Sequence, residues 1–198
     1  MPALTWQQSL RLFLSPRPDG QPLRLAIVAV GQTLRGDDGV GPALARRLAG
    51  QPAADAWLLL DAGHAPENFL GPIVRFRPDA VLFLDAARGG GAPGDIVWLR
   101  PAEADGCGGS THAVSLEMLA DYLTAETGAV IRVLGIEPSL SSSRRAGCQP
   151  ASCRVPAEFP FSEGLSPAVA AAADEVAATL IAYCRKLSTV ASAMASGD

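Results

Sequence analysis

Apolar and polar positions along this chain follow two rhythms: short, nearly unbroken apolar runs, and apolar residues spaced three or four apart. The runs Leu25–Val30, Ala56–Leu60, Ala80–Leu84, Asp95–Leu99 and Val130–Gly135 predict five strands, most too uniformly apolar to have a solvated face. Residues 4–14 predict a short helix, released by the Pro/Gly-rich stretch 15–22. A second helix is predicted from about Asp38 to Leu48, with Val40, Leu44 and Leu48 on one face. A third covers about Ser115 to Thr127, where Leu116, Leu119, Ala120 and Leu123 fall at helical spacing. The last is the clearest. Ser166 can cap it, Pro167 sits in its first turn, and Val169, Ala173, Val176, Leu180 and Leu187 repeat on one stripe, with Arg185 and Lys186 near its carboxyl end. Gly63-His64-Ala65-Pro66-Glu67 predicts a loop opening a short helical turn, and Gly89, Gly90, Gly91 and Gly94 mark another loop. Alternation of strands and helices predicts an α/β fold: three layers, a mainly parallel (mixed) twisted sheet, helices on both faces.

Bulk composition narrows the classes. The 198 residues fit one domain, 1–198, with an N-terminal extension over 1–22, an insertion loop over 139–164 and a tail, 188–198, expected to be disordered. No internal repeat is visible. At 48% hydrophobic and 18% charged the chain is apolar, yet no run is expected to reach bilayer-spanning length. Residues 1–22 lack the features of a signal peptide, so a cytoplasmic protein is expected. A net charge of −4 argues against nucleic acid or an anionic membrane as partner. Of the four cysteines, Cys107, Cys148, Cys153 and Cys184, only Cys148 and Cys153 are close together; a Cys-x4-Cys pair alone does not build a zinc site, and it reads as part of a loop.

Candidate chemistry gathers at the carboxyl ends of the predicted strands, where open α/β sheets place their sites. Asp37 and Asp38 end the glycine-rich turn after the first strand, Asp61 follows the second, and Asp85 follows the third. Gly31, Gly36, Gly39 and Gly41 fit neither dinucleotide-binding nor P-loop spacing, and no lysine is present, so the turn suits a cation rather than a phosphate. This disfavours a nucleotide-dependent oxidoreductase. Two carboxylates and an imidazole would form a mixed oxygen and nitrogen ligand set suited to nickel, zinc, iron or manganese, with positions left open for water or substrate. The two histidines, His64 and His112, can both reach that rim. Plainer readings stand beside this one: Asp37 or Asp38 as a helix cap, Asp61 and Asp85 as turn residues, either histidine as a structural hydrogen-bonder.

Six motifs in register carry a resemblance: Gly-Gln-Thr-Leu-Arg-Gly-Asp-Asp-Gly-Val-Gly (31–41), Asp-Ala-Gly-His-Ala-Pro-Glu-Asn (61–68), Leu-Asp-Ala (84–86), Pro-Gly (93–94), Ser-Thr-His (110–112) and Leu-Gly-Ile-Glu-Pro (134–138). Together, over about Leu23 to Leu187, they resemble the hydrogenase maturation endopeptidases, which trim the C-terminal extension from the large-subunit precursor of nickel–iron hydrogenases. The likeness is strongest to the branch serving the formate-linked hydrogenase. It implies a phosphorylase/hydrolase-like fold, with Asp38, Asp85 and His112 as both metal-contacting and catalytic residues. It makes Asp61 a neighbour of the site and His64 loop or substrate surface. Gln32, Asp37, Asp61, Gly63 and His64 are thus expected to bind substrate. The chain departs from the pattern at Gln32, where asparagine is usual, at Ala29, where many relatives have glycine, at His64, where a small residue is usual, and in the 139–164 insertion.

The resemblance further implies nickel brought by the precursor, with no resident cofactor, and a hydrogenase large-subunit precursor as partner. Asp38, Asp85 and His112 would complete the coordination of nickel held by precursor thiolates, so an unloaded precursor is spared. Hydrolysis would use a metal-bound water, with a carboxylate as general base. Ser110 beside His112 does not make a convincing nucleophile–base pair. An alternative keeps the same site but no cleavage: a nickel-sensing escort of the precursor.

Overall fold

A computed structural model describes residues 4–15, 17, 19, 21, 23–51, 56–106, 114–139 and 163–195. Five strands form one sheet: β1 (Leu25–Val30), β2 (Trp57–Gly63), β3 (Ala80–Ala86), β4 (Ile96–Leu99) and β5 (Val130–Ile136), in the spatial order β2-β1-β3-β5-β4. All neighbours run parallel except β4, which pairs antiparallel with β5 at one edge. The expected mixed, mainly parallel sheet is therefore present. Every residue of β1 is buried, because helices cover both faces there.

On one face α1 (Trp6–Phe13), α2 (Val40–Leu48) and α6 (Pro167–Ala195) cover Leu25, Ile27, Leu82, Leu84 and Leu134. On the other, α3 (Leu70–Phe76) and α5 (Leu116–Thr127) cover Val28, Val81, Phe83 and Val133. The predicted stripe of α6 is buried: Val169, Ala173, Val176 and Leu180 all have no exposed surface. Residues 167–186 also have the length and apolarity, at mean hydropathy 1.3, to cross a bilayer, contrary to expectation. One stripe of this alanine-rich helix packs on the sheet, with 39% of the stretch buried, and Arg47 of α2 pairs with Asp174 at 2.7 Å on its polar side. The helix continues to Ala195, through most of the tail expected to be disordered, since no Gly or Pro interrupts it. The N-terminal extension is likewise built in. Thr5 and Gln8 close a capping box on α1, Leu10 and Leu14 enter the core, and the Phe13 ring meets Trp98 edge-on at 5.3 Å.

Several boundaries differ from the sequence reading, each for a local reason. A 3-10 turn, Gly36–Gly39, precedes α2, which begins only at Val40. Strands β2 and β3 run through Asp61 and Asp85, whose partners across the sheet are Ala29 and Gly135. Both acids are strand residues, so the turn reading does not hold for either. Gly71-Pro72 hides α3 by reading as a breaker; Pro72 lies in the first turn, where a missing N–H costs little, and Arg77 closes the helix at φ 50°. The six-residue α4 (Pro101–Gly106) is too short to show a period.

Tight backbone packing holds the top of the sheet. A Cβ on Gly41 would stand 2.0 Å from the Val30 carbonyl oxygen and 2.6 Å from that of Leu84. A Cβ on Gly31, at φ 131°, would stand 1.9 Å from the Asp38 carbonyl oxygen. Gly41→Ala is expected to cost about 3 kcal/mol or more, as overpacking against rigid backbone does, read as a lower urea midpoint. Burial pushes the Cys184 thiol up to about 12, which keeps it protonated. A chain with Cys107, Cys148 and Cys153 changed to Ser should therefore release no chromophore from a disulfide reagent at pH 8 until denatured.

Candidate active site

In this strand order the chain leaves β1 for β2 on one side and returns to β3 on the other. The sheet's direction of growth reverses there, and the gap beyond the carboxyl ends of β1 and β3 is where doubly wound sheets open a crevice. Asp38 arrives from β1 by way of the 3-10 turn, and Asp85 stands in the last turn of the ladder on β3. Both are buried, at 4% and 9% exposure. The Gln32 backbone N–H donates to Asp38 Oδ2 at 3.0 Å, and the Ala86 N–H donates to Asp85 Oδ1 at 2.8 Å. Each carboxylate is thus oriented by the backbone of its own loop. The loop before Asp38 is closed again from below, where the Arg35 N–H donates to the Gln32 carbonyl at 3.0 Å and the Asp38 N–H to the Arg35 carbonyl at 3.2 Å.

Two more acids complete the buried set. Among the described residues the buried charged side chains are Asp37, Asp38, Asp85 and Glu137, all acidic. Glu137 follows β5; its carboxylate accepts from the Gly89 N–H, its carbonyl from the Gly94 N–H at 2.8 Å, and its own N–H donates to the Asp95 carbonyl. It fixes the glycine-rich loop that leaves β3 just after Asp85. The sequence reading missed this role, although Glu137 stood in the Leu-Gly-Ile-Glu-Pro motif. An acid directly after the apolar end of a strand, Val133 to Ile136, was the available signal. Asp37 turns away from its neighbour. Its Oδ1 accepts from the Ser166 N–H at 2.6 Å, and its Oδ2 from the Ser139 N–H at 2.8 Å and the Ser166 hydroxyl at 2.9 Å.

The remaining candidates spread along the same rim. Gln32 is half-buried, with its amide on Asp38. Gly63, at φ 55°, accepts from the Gly31 N–H at 2.8 Å where the β1–β2 register shifts, so the two loops are stitched together. Asp61 and His64 are exposed on or just after edge strand β2. His112 lies outside the described residues, as do Ser110, Cys107, Cys148 and Cys153. Among the described residues no three His, Cys, Asp or Glu side chains gather closely enough to hold a metal. The structure thus places Asp38 and Asp85 at the carboxyl ends of neighbouring strands β1 and β3, with Asp37 beside Asp38 in the chain and Glu137 just after β5.

The family model described as hydrogenase maturation protease matches residues 42–182. The chain belongs to that family. It is 38% identical over 115 residues to the hydrogenase 3 maturation protease of Escherichia coli K12, spanning 58% of this chain and 72% of the relative. The [NiFe] hydrogenase maturation protease HycI of Thermococcus kodakarensis superposes with a TM-score of 0.67 at 28% identity, over 82% of this chain and 93% of that one. The E. coli endopeptidase HybD, at 24% identity and a TM-score of 0.57, shares the fold. As a hydrogenase maturation protease the chain is a hydrolase of the endopeptidase class.

Removing the Glu137 carboxylate should loosen the site without touching Asp38. Glu137→Ala is expected to lose about 2 kcal/mol, the worth of a buried charge-assisted hydrogen bond, in a urea titration. The Gly89 amide should exchange with solvent faster in the same variant.

Proposed function

We propose that this protease removes the C-terminal extension of a [NiFe]-hydrogenase large-subunit precursor, and that nickel already bound to the precursor is the feature it recognises. One observation carries the reading: all four buried charged side chains of the described residues are acids, at or just beyond the carboxyl ends of β1, β3 and β5. Two of them, Asp37 and Glu137, are satisfied by hydrogen bonds within the fold. Asp38 and Asp85 add to the acidic sign of this rim, which favours a cation and its carrier. The names of the relatives, hydrogenase 3 maturation protease among them, support the choice of precursor.

In this mechanism Asp38, Asp85 and His112 meet the precursor's nickel as hard and borderline donors beside the precursor's own thiolates. Bound there, the metal supplies Lewis-acid polarisation. Because Gln32 and Ala86 hold one oxygen of each carboxylate, both acids are oriented before the precursor arrives. Water adds to the scissile carbonyl carbon, and its proton passes through a carboxylate acting as general base to the departing amine. The carbon–nitrogen bond breaks, giving a new carboxylate on the precursor and a free peptide. Recognition through substrate metal couples cleavage to loading, since an unloaded precursor offers the acidic crevice no cation. A cytoplasmic setting, where such precursors are assembled, fits this reading.

The test is incubation with a nickel-loaded, C-terminally extended large subunit, followed by intact mass, beside the same precursor without nickel. Loss of one C-terminal peptide from the loaded precursor alone is expected; equal cleavage of both would overturn nickel recognition. Asp38→Ala, Asp85→Ala and His112→Ala should each cut the rate by about a thousandfold or more, as removal of a group acting in the transition state does. Their far-ultraviolet circular dichroism should match the parent. Full activity in any of the three would remove that residue from the site.

A further inference from the structure

We propose that Asp37 is the positioning residue of this active site: its carboxylate, bridging Ser139 and Ser166, fixes the turn that presents Asp38. The inference rests on the reading of Asp38 given above and deepens it. The family resemblance placed Asp37 among substrate-binding residues; the side chain is 7% exposed and accepts three hydrogen bonds from the protein itself. Those three donors come from two distant places. Ser139 follows β5 and Glu137, while Ser166 begins α6, its carbonyl taking the first helical bond from Ala170. One carboxylate therefore ties the 3-10 turn to the end of a strand and to the positive end of a long helix.

The next residue in the chain is Asp38. Gly31, just after β1, and Gly41, in the first turn of α2, let the turn pack closely on the ends of β1 and β3, and Asp37 ties it to β5 and α6. The Gln32 backbone N–H donates to Asp38 Oδ2, and this same turn closes the loop that carries Gln32. A turn loosened at Asp37 would carry Asp38 off its angle, and small displacements of reacting groups are costly in rate. Both feet of the segment between Ser139 and Ser166 also stand on this one side chain, so Asp37 brings them together beside the crevice.

Asp37→Asn tests the role. The asparagine amide keeps the size of the side chain but turns an N–H group toward a donor, so at least one bond is lost. Ile73→Ala, made in the opposite layer where Ile73 is 1% exposed, serves as a control of comparable destabilisation. Both are assayed on nickel-loaded precursor well below their melting temperatures. Asp37→Asn is expected to lower kcat about 10- to 100-fold with KM within about twofold of the parent, while the control keeps the parental kcat. The amide signal of Gln32 in a nitrogen–proton correlation spectrum should shift in Asp37→Asn and stay in place in the control. Ser166→Ala, which removes one of the three bonds, should move kcat and the Gln32 signal the same way by less, and it replaces Asp37→Asn if that variant does not fold. A folded variant whose kcat and Gln32 signal match the control's overturns the inference and leaves the protease reading intact. A parent chain that cuts no loaded precursor, while its Gln32 signal still moves in Asp37→Asn, overturns the protease reading and confines Asp37 to fixing the turn.

Discussion

The contact on which the site depends is backbone against backbone, where the start of α2 sits down on the ends of β1 and β3. Gly41 lets that approach happen, with the Val30 and Leu84 carbonyl oxygens in the space a side chain would take. Gly31 does the same for the Asp38 carbonyl. Because the helix begins so close to the sheet, the chain between β1 and α2 has no room for an open loop. It is compressed into a 3-10 turn, and that turn puts two acids in succession over the gap between two parallel strands. Glycine in this motif makes room for protein, where in nucleotide-binding turns it makes room for phosphate.

Burying four carboxylates, with no buried base among the described residues, is electrostatically expensive, and the fold divides the cost. Asp37 and Glu137 spend their charge on backbone amides and a hydroxyl, which also welds β5, α6 and the glycine-rich loop to the site. Asp38 and Asp85 each take a backbone N–H close by in sequence, an arrangement that aims the carboxylate. The acids thus fall into a pair that ties distant elements together, Asp37 and Glu137, and a pair that takes donors close by in sequence, Asp38 and Asp85. Neighbours in sequence, Asp37 and Asp38, belong to different pairs.

Much of the architecture was legible because the apolar strands and the α6 stripe bury themselves in the only way their spacing permits. The five strands, the mixed sheet and the placing of Asp38 and Asp85 at one rim followed from pattern. What the pattern could not show was decided by tertiary contact. Asp61 and Asp85 looked like turn residues because polarity ends an apolar run, yet the ladder continues through both. Asp37 was read with Asp38 because adjacency is visible in sequence, while donors more than a hundred positions away are not. Helix α3 was hidden by a Gly-Pro pair that the first turn of a helix tolerates. The family resemblance named His112, and its placing lies outside the described residues.

Ser139 and Ser166 meeting on a single side chain has a consequence for how such a protease can diversify. The chain between them starts and ends at one fixed point, so its length is decoupled from the geometry of the sheet. Closing a loop costs free energy only as the logarithm of its length, and most of that is already met when the ends are held together. Residues can be added or removed there over many generations with little strain passed to Asp38 and Asp85. A maturation enzyme that must follow a changing client has, in that anchored pair of serines, a place where its sequence is free to drift.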